Sequence, residues 1–400
     1  MNDKLVLAYS GGLDTSVAIK WLKEKYGTDV IAVTIDVGNE KDFTLVKEKA
    51  LNAGAIKAIV IDAKQDYVND FIFPALKANA FYEGEYPLAT ALSRPLMARL
   101  MVGVARQEGA TAIAHGCTGK GNDQVRFEVS ITALAPDLKI AAPAREWNMT
   151  REESIAYAKK HGIPVPVTVK SPYSVDAAVW GRSVECGALE DPWNEPPEDA
   201  YEMTASIKNA PDEAQFIEIS FEKGIPVALD GTRMNGLELI ERLNEITGKH
   251  GIGRIDMVEN RLVGIKSREI YEAPAAVTLL KAHRALEALV LSKQQMNFKS
   301  LVSQEYADLI YNGLWFSGHR EDLAAYVDST QRFVTGTVRM KFLKGNAIVV
   351  GRKSPYSLYD LSLATYDKGD KYNQQAAPGF IHIWGLPLKT QAQRQQKEAA

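Results

Sequence analysis

The chain has 400 residues, 46% hydrophobic and 24% charged, with a formal net charge of −3. These values suit an ordinary globular protein of two or three domains and leave no broad cationic field for nucleic acid. Two cysteines, Cys117 and Cys186, and six scattered histidines make neither a metal knuckle nor a disulfide framework; a cytoplasmic protein with no protein-bound metal is expected. No apolar run reaches 18 residues and no signal-peptide pattern opens the chain, so no membrane partner is expected either.

The first predicted strand, Leu5–Tyr9, is a short unbroken apolar run of the kind buried on both faces of a parallel sheet. It stops at Ser10-Gly11-Gly12, where the backbone can turn sharply and a ligand can approach without meeting a Cβ. Asp14, Thr15 and Ser16 then offer N-cap side chains to a helix whose apolar face falls at Val17, Trp21, Leu22 and Tyr26. Such a loop aims backbone N–H groups and a helix dipole at one point, and the hydroxyls beside it suit phosphate. The order Gly-x4-Gly-Lys-Ser/Thr is absent, because Gly116-Cys-Thr-Gly119-Lys120 continues into Gly121. Strand, Ser-Gly-Gly, Asp, hydroxyl and helix together resemble the PP-loop ATPases, which cleave ATP between the α- and β-phosphates.

Further strands are predicted at Val30–Val37, Ala58–Ile61, Thr111–Ala114 and Leu138–Ala142. Between them lie helical patterns over Phe43–Leu51, Phe71–Leu76 and through Leu96, Leu100 and Val104. Another helix, Thr150–Gly162, opens with the capping box Thr150-x-x-Glu153. The alternation predicts an α/β fold over residues 1–165, a doubly wound parallel sheet with ligands at the carboxyl ends of its strands. Val125–Leu134 fits a strand and a helix equally. After an extended connector, Ile163-Pro-Val-Pro-Val-Thr, residues 166–360 read as an α+β domain. Hairpins turn there at Glu222-Lys-Gly224 and Lys344-Gly-Asn346, and helices cover Leu237–Ile246, Ala275–Leu291 and Tyr306–Tyr326. Residues 361–400 carry an apolar patch, Ile381–Leu386, and a polar tail from Gln391, as expected of an oligomerisation arm that docks on another subunit.

A second loop, His115 to Arg126, follows the strand at Thr111–Ala114 and holds Gly116, Gly119 and Gly121 with Lys120, Asn122, Asp123 and Arg126. On the rim of a doubly wound sheet, both signs of charge suit an amino acid. In a third cluster, Tyr86 to Pro95, Arg94 reads either as a carboxylate anchor or as a solvated side chain.

Four blocks now carry a closer likeness: Ala8–Ser16, His115–Phe127, Leu189–Tyr201 and Gly253–Arg261 with Lys266–Tyr271. Together they resemble the argininosuccinate synthase family over nearly the whole chain. The resemblance implies an AMP-forming ligase that joins L-citrulline to L-aspartate and releases AMP and pyrophosphate. It implies ATP with Mg²⁺, and a homotetramer whose C-terminal arm reaches a neighbour. Carried over position by position, Ala8, Tyr9, Ser10, Gly11, Gly12, Leu13, Asp14, Thr15, Ser16 and Gly116 would hold ATP, with main chain near Ile35 meeting adenine. Thr118, Asn122 and Asp123 would hold aspartate. Tyr86, Asn122, Arg126, Ser174, Ser183, Glu259 and Tyr271 would hold citrulline, Glu259 at its ammonium and Arg126 at a substrate carboxylate. Asp14 either holds Mg²⁺ through water or caps the helix, and Asp123 either orients the aspartate amine or takes its proton. The sequence contains no Ser-His or Cys-His nucleophile, so catalysis would rest on positioning and charge. Two alternatives stand beside this reading. Another PP-loop synthetase would use ammonia, usually from a glutaminase part that this chain lacks; a nucleotide sensor would bind ATP without releasing pyrophosphate.

Overall fold

Five short strands, β1 (Lys4–Ala8), β2 (Asp29–Asp36), β3 (Lys57–Asp62), β4 (Ala112–Ala114) and β5 (Lys139–Ala141), pair in the order β3-β2-β1-β4-β5, all parallel. The computed structural model describes residues 3–39, 42–147, 149–163 and 172–398; the expected connector after Ile163 lies outside them. In β1, Leu5 and Leu7 join a core with Val17, Ile19 and Leu22, while Val6 joins a second core with Phe71, Leu96 and Met101. Both faces of the sheet are covered, which is why β1 reads as unbroken apolar sequence. The chain leaves β1 toward β2 and β3 on one side and returns through β4 and β5 on the other. The β1/β4 boundary is therefore the topological switch point where α/β sheets bind ligands.

Several helices differ from expectation. The first, Leu13–Tyr26, is capped by Gly12 and by no side chain, so Asp14, Thr15 and Ser16 lie inside its first turn. The element expected over Phe71–Leu76 is a longer helical stretch, Lys64–Ala78, containing a π turn at Val68–Ile72. The ambiguous segment is a helix, Asp123–Leu134, burying Gln124, Phe127, Ser130 and Ile131 at helical spacing. The capping box of Thr150 and Glu153 forms as read.

Beyond residue 172, strands β6 (Ser174–Ala178), β7 (Gly181–Glu185), β8 (Gln215–Glu222), β9 (Ile225–Leu229), β10 (Thr232–Arg233), β11 (Arg254–Asn260), β12 (Lys266–Glu272), β13 (Gly336–Leu343) and β14 (Asn346–Lys353) build two antiparallel sheets, β10-β9-β8-β13-β14 and β11-β12-β7-β6. The expected hairpin turns, Lys223-Gly224 and Lys344-Gly345, have both residues left-handed (φ 49°, 79° and 44°, 78°), matching the twist of the strands they join. The expected single helix Tyr306–Tyr326 is two, Lys293–Tyr311 and Gly318–Gln331. The chain breaks at Gly313, where φ is +76° and a Cβ would sit 2.8 Å from the Arg126 Cα. Loop Leu189–Tyr201 packs behind the four-stranded sheet, with the Arg254 guanidinium 3.9 Å from the Tyr201 ring centre and paired with Glu198.

Two compact units emerge, Met1–Tyr356 and Ser357–Ala400. In the second, helix Ala377–Glu398 exposes Phe380, Ile381, Ile383, Trp384 and Leu388. Among the described residues no helix is long and apolar enough to cross a membrane.

Candidate active site

A cavity of about 470 Å³ opens at the carboxyl ends of β1 and β4. Ala8, Tyr9, Ser10 and Thr15 line it from the first loop, and Gly116, Thr118, Asn122, Asp123 and Arg126 from the second. Gly11, Gly12, Leu13, Asp14 and Ser16 do not line it. Ser16 is buried, its hydroxyl 2.8 Å from the Gly12 carbonyl and 2.9 Å from the Tyr9 hydroxyl. Ser10 and Thr15 share a 3.1 Å hydroxyl contact. With no side-chain cap, the first turn keeps backbone N–H groups free for an anion. The left-handed residue is Gly11 (φ +78°), whereas Gly12 is extended. At Gly116 a Cβ would lie 3.0 Å from Thr15 Cγ2, so the two loops approach closely enough that a side chain there would press on Thr15.

The opposite wall is one face of the sheet β11-β12-β7-β6. Alternation along extended strands puts Ser174 and Asp176, Ser183 and Glu185, Glu269 and Tyr271, and Glu259 on the same side. All of them line the cavity. Ser183 lies opposite both Asp176 and Tyr271 in the strand register. Tyr86 stacks on Tyr271 with ring centres 4.0 Å apart, and its hydroxyl accepts from the Thr90 N–H at 3.0 Å.

Two charged sets face each other across this space. Arg94 is buried, which excludes its solvated reading, and donates to Asp123 Oδ2 at 2.6 Å and to Asp176. Arg126 holds Asp123 Oδ1 at 2.9 Å and donates its Nε to the Tyr311 carbonyl at 2.9 Å. Its buried Nη2 has no hydrogen-bond partner among the described residues, a donor left for an acid from outside. Burial raises the Asp123 carboxyl, but the Arg94 and Arg126 guanidiniums outweigh it and hold it at about 2. On the other side, buried Glu259 accepts from the Tyr271 hydroxyl at 2.6 Å and from the Tyr311 hydroxyl at 2.7 Å. Asn122 donates to the Tyr311 oxygen at 2.8 Å and accepts from the Leu262 N–H at 2.9 Å, so its amide ties the second loop to this wall. Burial raises the Cys117 thiol to about 12, which makes it a poor nucleophile.

Every substrate-site candidate lines this one cavity. Tyr311, Asp176, Glu185, Arg261 and Glu269 line it too, although the sequence reading passed over them. Four of these five sit two residues from a candidate, as in Ser174-x-Asp176 and Glu269-x-Tyr271, which is the period of a strand. Tyr311 had no such neighbour.

The chain matches two family models, the arginosuccinate synthase N-terminal HUP domain over residues 4–164 and the arginosuccinate synthase C-terminal domain over residues 173–391. The chain belongs to the argininosuccinate synthase family. A family relative from Dehalococcoides mccartyi, named argininosuccinate synthase, is 63% identical over 99% of this chain and 97% of its own. Another of that name, from Geobacillus thermodenitrificans, is 62% identical over 97% of this chain and 95% of its own. A third, from Listeria welshimeri, is 59% identical over 99% and 98%.

Proposed function

We propose that the chain is an ATP-dependent ligase that condenses L-citrulline with L-aspartate, releasing argininosuccinate, AMP and pyrophosphate. The observation that carries this reading is the meeting, in one cavity, of Ser10 and Thr15 beside the uncapped start of the first helix with the buried Arg126 Nη2 donor and the Glu259 carboxylate. Phosphates suit the first, and the two ends of an amino acid suit the others. Ala8–Ser16 and Gly116 hold ATP, with backbone N–H groups and the Ser10 and Thr15 hydroxyls on the pyrophosphate that leaves. Asp14, exposed in the first turn, would hold Mg²⁺ through water rather than cap the helix. When bound, Mg²⁺ neutralises charge on the departing pyrophosphate.

Citrulline's ureido oxygen is a poor leaving group. Its attack on the α-phosphorus expels pyrophosphate and forms a citrullyl-adenylate, and AMP then leaves when the aspartate amine attacks the activated carbon. Tyr86, Asn122, Arg126, Ser174, Ser183, Glu259 and Tyr271 position citrulline. Thr118, Asn122 and Asp123 position aspartate. A carboxyl held at about 2 is a weak base, which favours Asp123 as the group that orients the amine over one that takes its proton. The exposed apolar face of helix Ala377–Glu398 suits burial against further copies of the chain in a homotetramer, and we place the enzyme in the cytoplasm.

Pyrophosphate release from ATP, Mg²⁺ and citrulline, with and without aspartate, tests the reading. Release that requires citrulline is the expected result. ATP binding without citrulline-dependent release would favour a nucleotide sensor, and release that depends on ammonia would favour another PP-loop synthetase.

A further inference from the structure

Tyr271 has one hydroxyl proton and two carboxyl neighbours. Its oxygen lies 2.6 Å from Glu259 Oε2 and 3.0 Å from Glu269 Oε2. One proton serves one acceptor, so the second contact needs a proton of its own, and an un-ionised carboxyl at Glu269 supplies it. The charges around Glu269 point the same way. Its other oxygen accepts from Arg261 Nη2 at 2.7 Å, and that guanidinium also pairs with Glu185 on β7 and reaches Ser267 Oγ. Two carboxyl groups, Glu185 and Glu269, thus share one guanidinium, the charge of Glu259 also bears on Glu269, and Arg126 is engaged with Asp123. Tyr86, stacked on Tyr271, adds no charge. Burial, reinforced by the charges of Glu259 and Glu185, pushes the Glu269 carboxyl up to about 8.

Given that Glu259 receives the citrulline ammonium, as proposed above, we infer that Glu269 is a positioning residue: it carries a proton, donates it to Tyr271, and thereby commits the Tyr271 hydroxyl to Glu259. Each oxygen of Glu259 then accepts from one tyrosine, Tyr271 or Tyr311, and keeps a lone pair for the ammonium. Glu269 touches neither substrate nor ATP in this role. It sets the direction of a hydrogen-bonded chain, Glu269 to Tyr271 to Glu259.

Glutamine reproduces the un-ionised acid, since its amide oxygen accepts from Arg261 and its N–H donates to Tyr271. Alanine removes both contacts. Steady-state kinetics should show the citrulline KM of Glu269→Ala raised roughly 10-fold or more, with the ATP and aspartate KM values nearly unchanged. Glu269→Gln should restore the citrulline KM to near the wild-type value. Equal losses in the two variants would mean that an ionised Glu269 meets the substrate itself, and would overturn the inference. So would an unchanged citrulline KM in the alanine variant. If that variant does not fold, urea denaturation of wild type and Glu269→Gln across pH 4.5 to 8 decides. Wild type must lose stability relative to the glutamine variant over that range, and parallel curves would overturn the proton on Glu269. Failure of the functional reading looks different: wild-type enzyme would release no pyrophosphate with citrulline.

Discussion

Replacing Glu259 with glutamine keeps the size of the side chain and removes one charge, and the surroundings set the consequence. Both carboxylate oxygens accept from tyrosine hydroxyls at 2.6 and 2.7 Å, and the side chain is buried. In Glu259→Gln one of those hydroxyls faces an amide N–H in place of a carboxylate oxygen and loses its acceptor. An ammonium bound there loses a charge-assisted hydrogen bond, about 1.5–3 kcal/mol, and citrulline affinity falls roughly 10- to 150-fold. Calorimetric titration with citrulline and the citrulline KM both read this, while ATP affinity should stay within about twofold, well under 1.4 kcal/mol. Unchanged citrulline affinity, or a loss that falls on aspartate instead, would refute the assignment of Glu259 to citrulline.

Gly116→Val inserts three carbons where a Cβ alone would lie 3.0 Å from Thr15 Cγ2. ATP affinity should fall at least about 10-fold, and normal ATP titration of the folded variant would displace the phosphate site from this loop pair. Arg94→Met leaves Asp123 and Asp176 without their shared partner. Breaking a fully buried pair costs about 3–5 kcal/mol, but these carboxylates are 31% and 35% exposed, so about 1–3 kcal/mol in urea denaturation is expected. Loss of less than about 0.5 kcal/mol would show the bridge to be dispensable. Glu269 has a folded pKa near 8 against 4.5 as the unperturbed value, so the native state binds the extra proton between them. Stability must therefore fall as pH rises through that window. Glu269→Gln should lack this slope in denaturation measured at several pH values.

Periodicity made the parallel sheet legible because β1 and β2 are buried on both faces and their turns carry glycine. The loop after β1 lies where it was read, although the helix begins one residue after Gly12 and leaves Asp14 inside the first turn. Val125–Leu134 stayed ambiguous because its apolar residues fit both periods; packing of Phe127 and Ile131 into the core decided for a helix. The break between Tyr311 and Gly318 was signalled by Asn312-Gly313, but its purpose is tertiary: Gly313 lets the backbone of Arg126 approach, so that the Tyr311 carbonyl meets Arg126 Nε. The polar sheet face was the least readable part. Ser174, Asp176, Ser183 and Glu185 alternate like residues facing solvent, and nothing local says that they face a cavity shared with loops much earlier in the chain. The likeness of whole blocks to a family supplied Ser174, Ser183, Glu259 and Tyr271, while Glu269, Arg261 and Tyr311 needed the coordinates.

On the proposed reading, citrulline's own ureido oxygen is the nucleophile toward ATP. Citrulline labelled with ¹⁸O in the ureido group, turned over with ATP and aspartate, tests it directly by mass spectrometry of the AMP. One label in the AMP phosphate is the predicted result, since the oxygen that attacks phosphorus leaves with it. Unlabelled AMP formed alongside argininosuccinate would contradict the citrullyl-adenylate and the roles assigned around it.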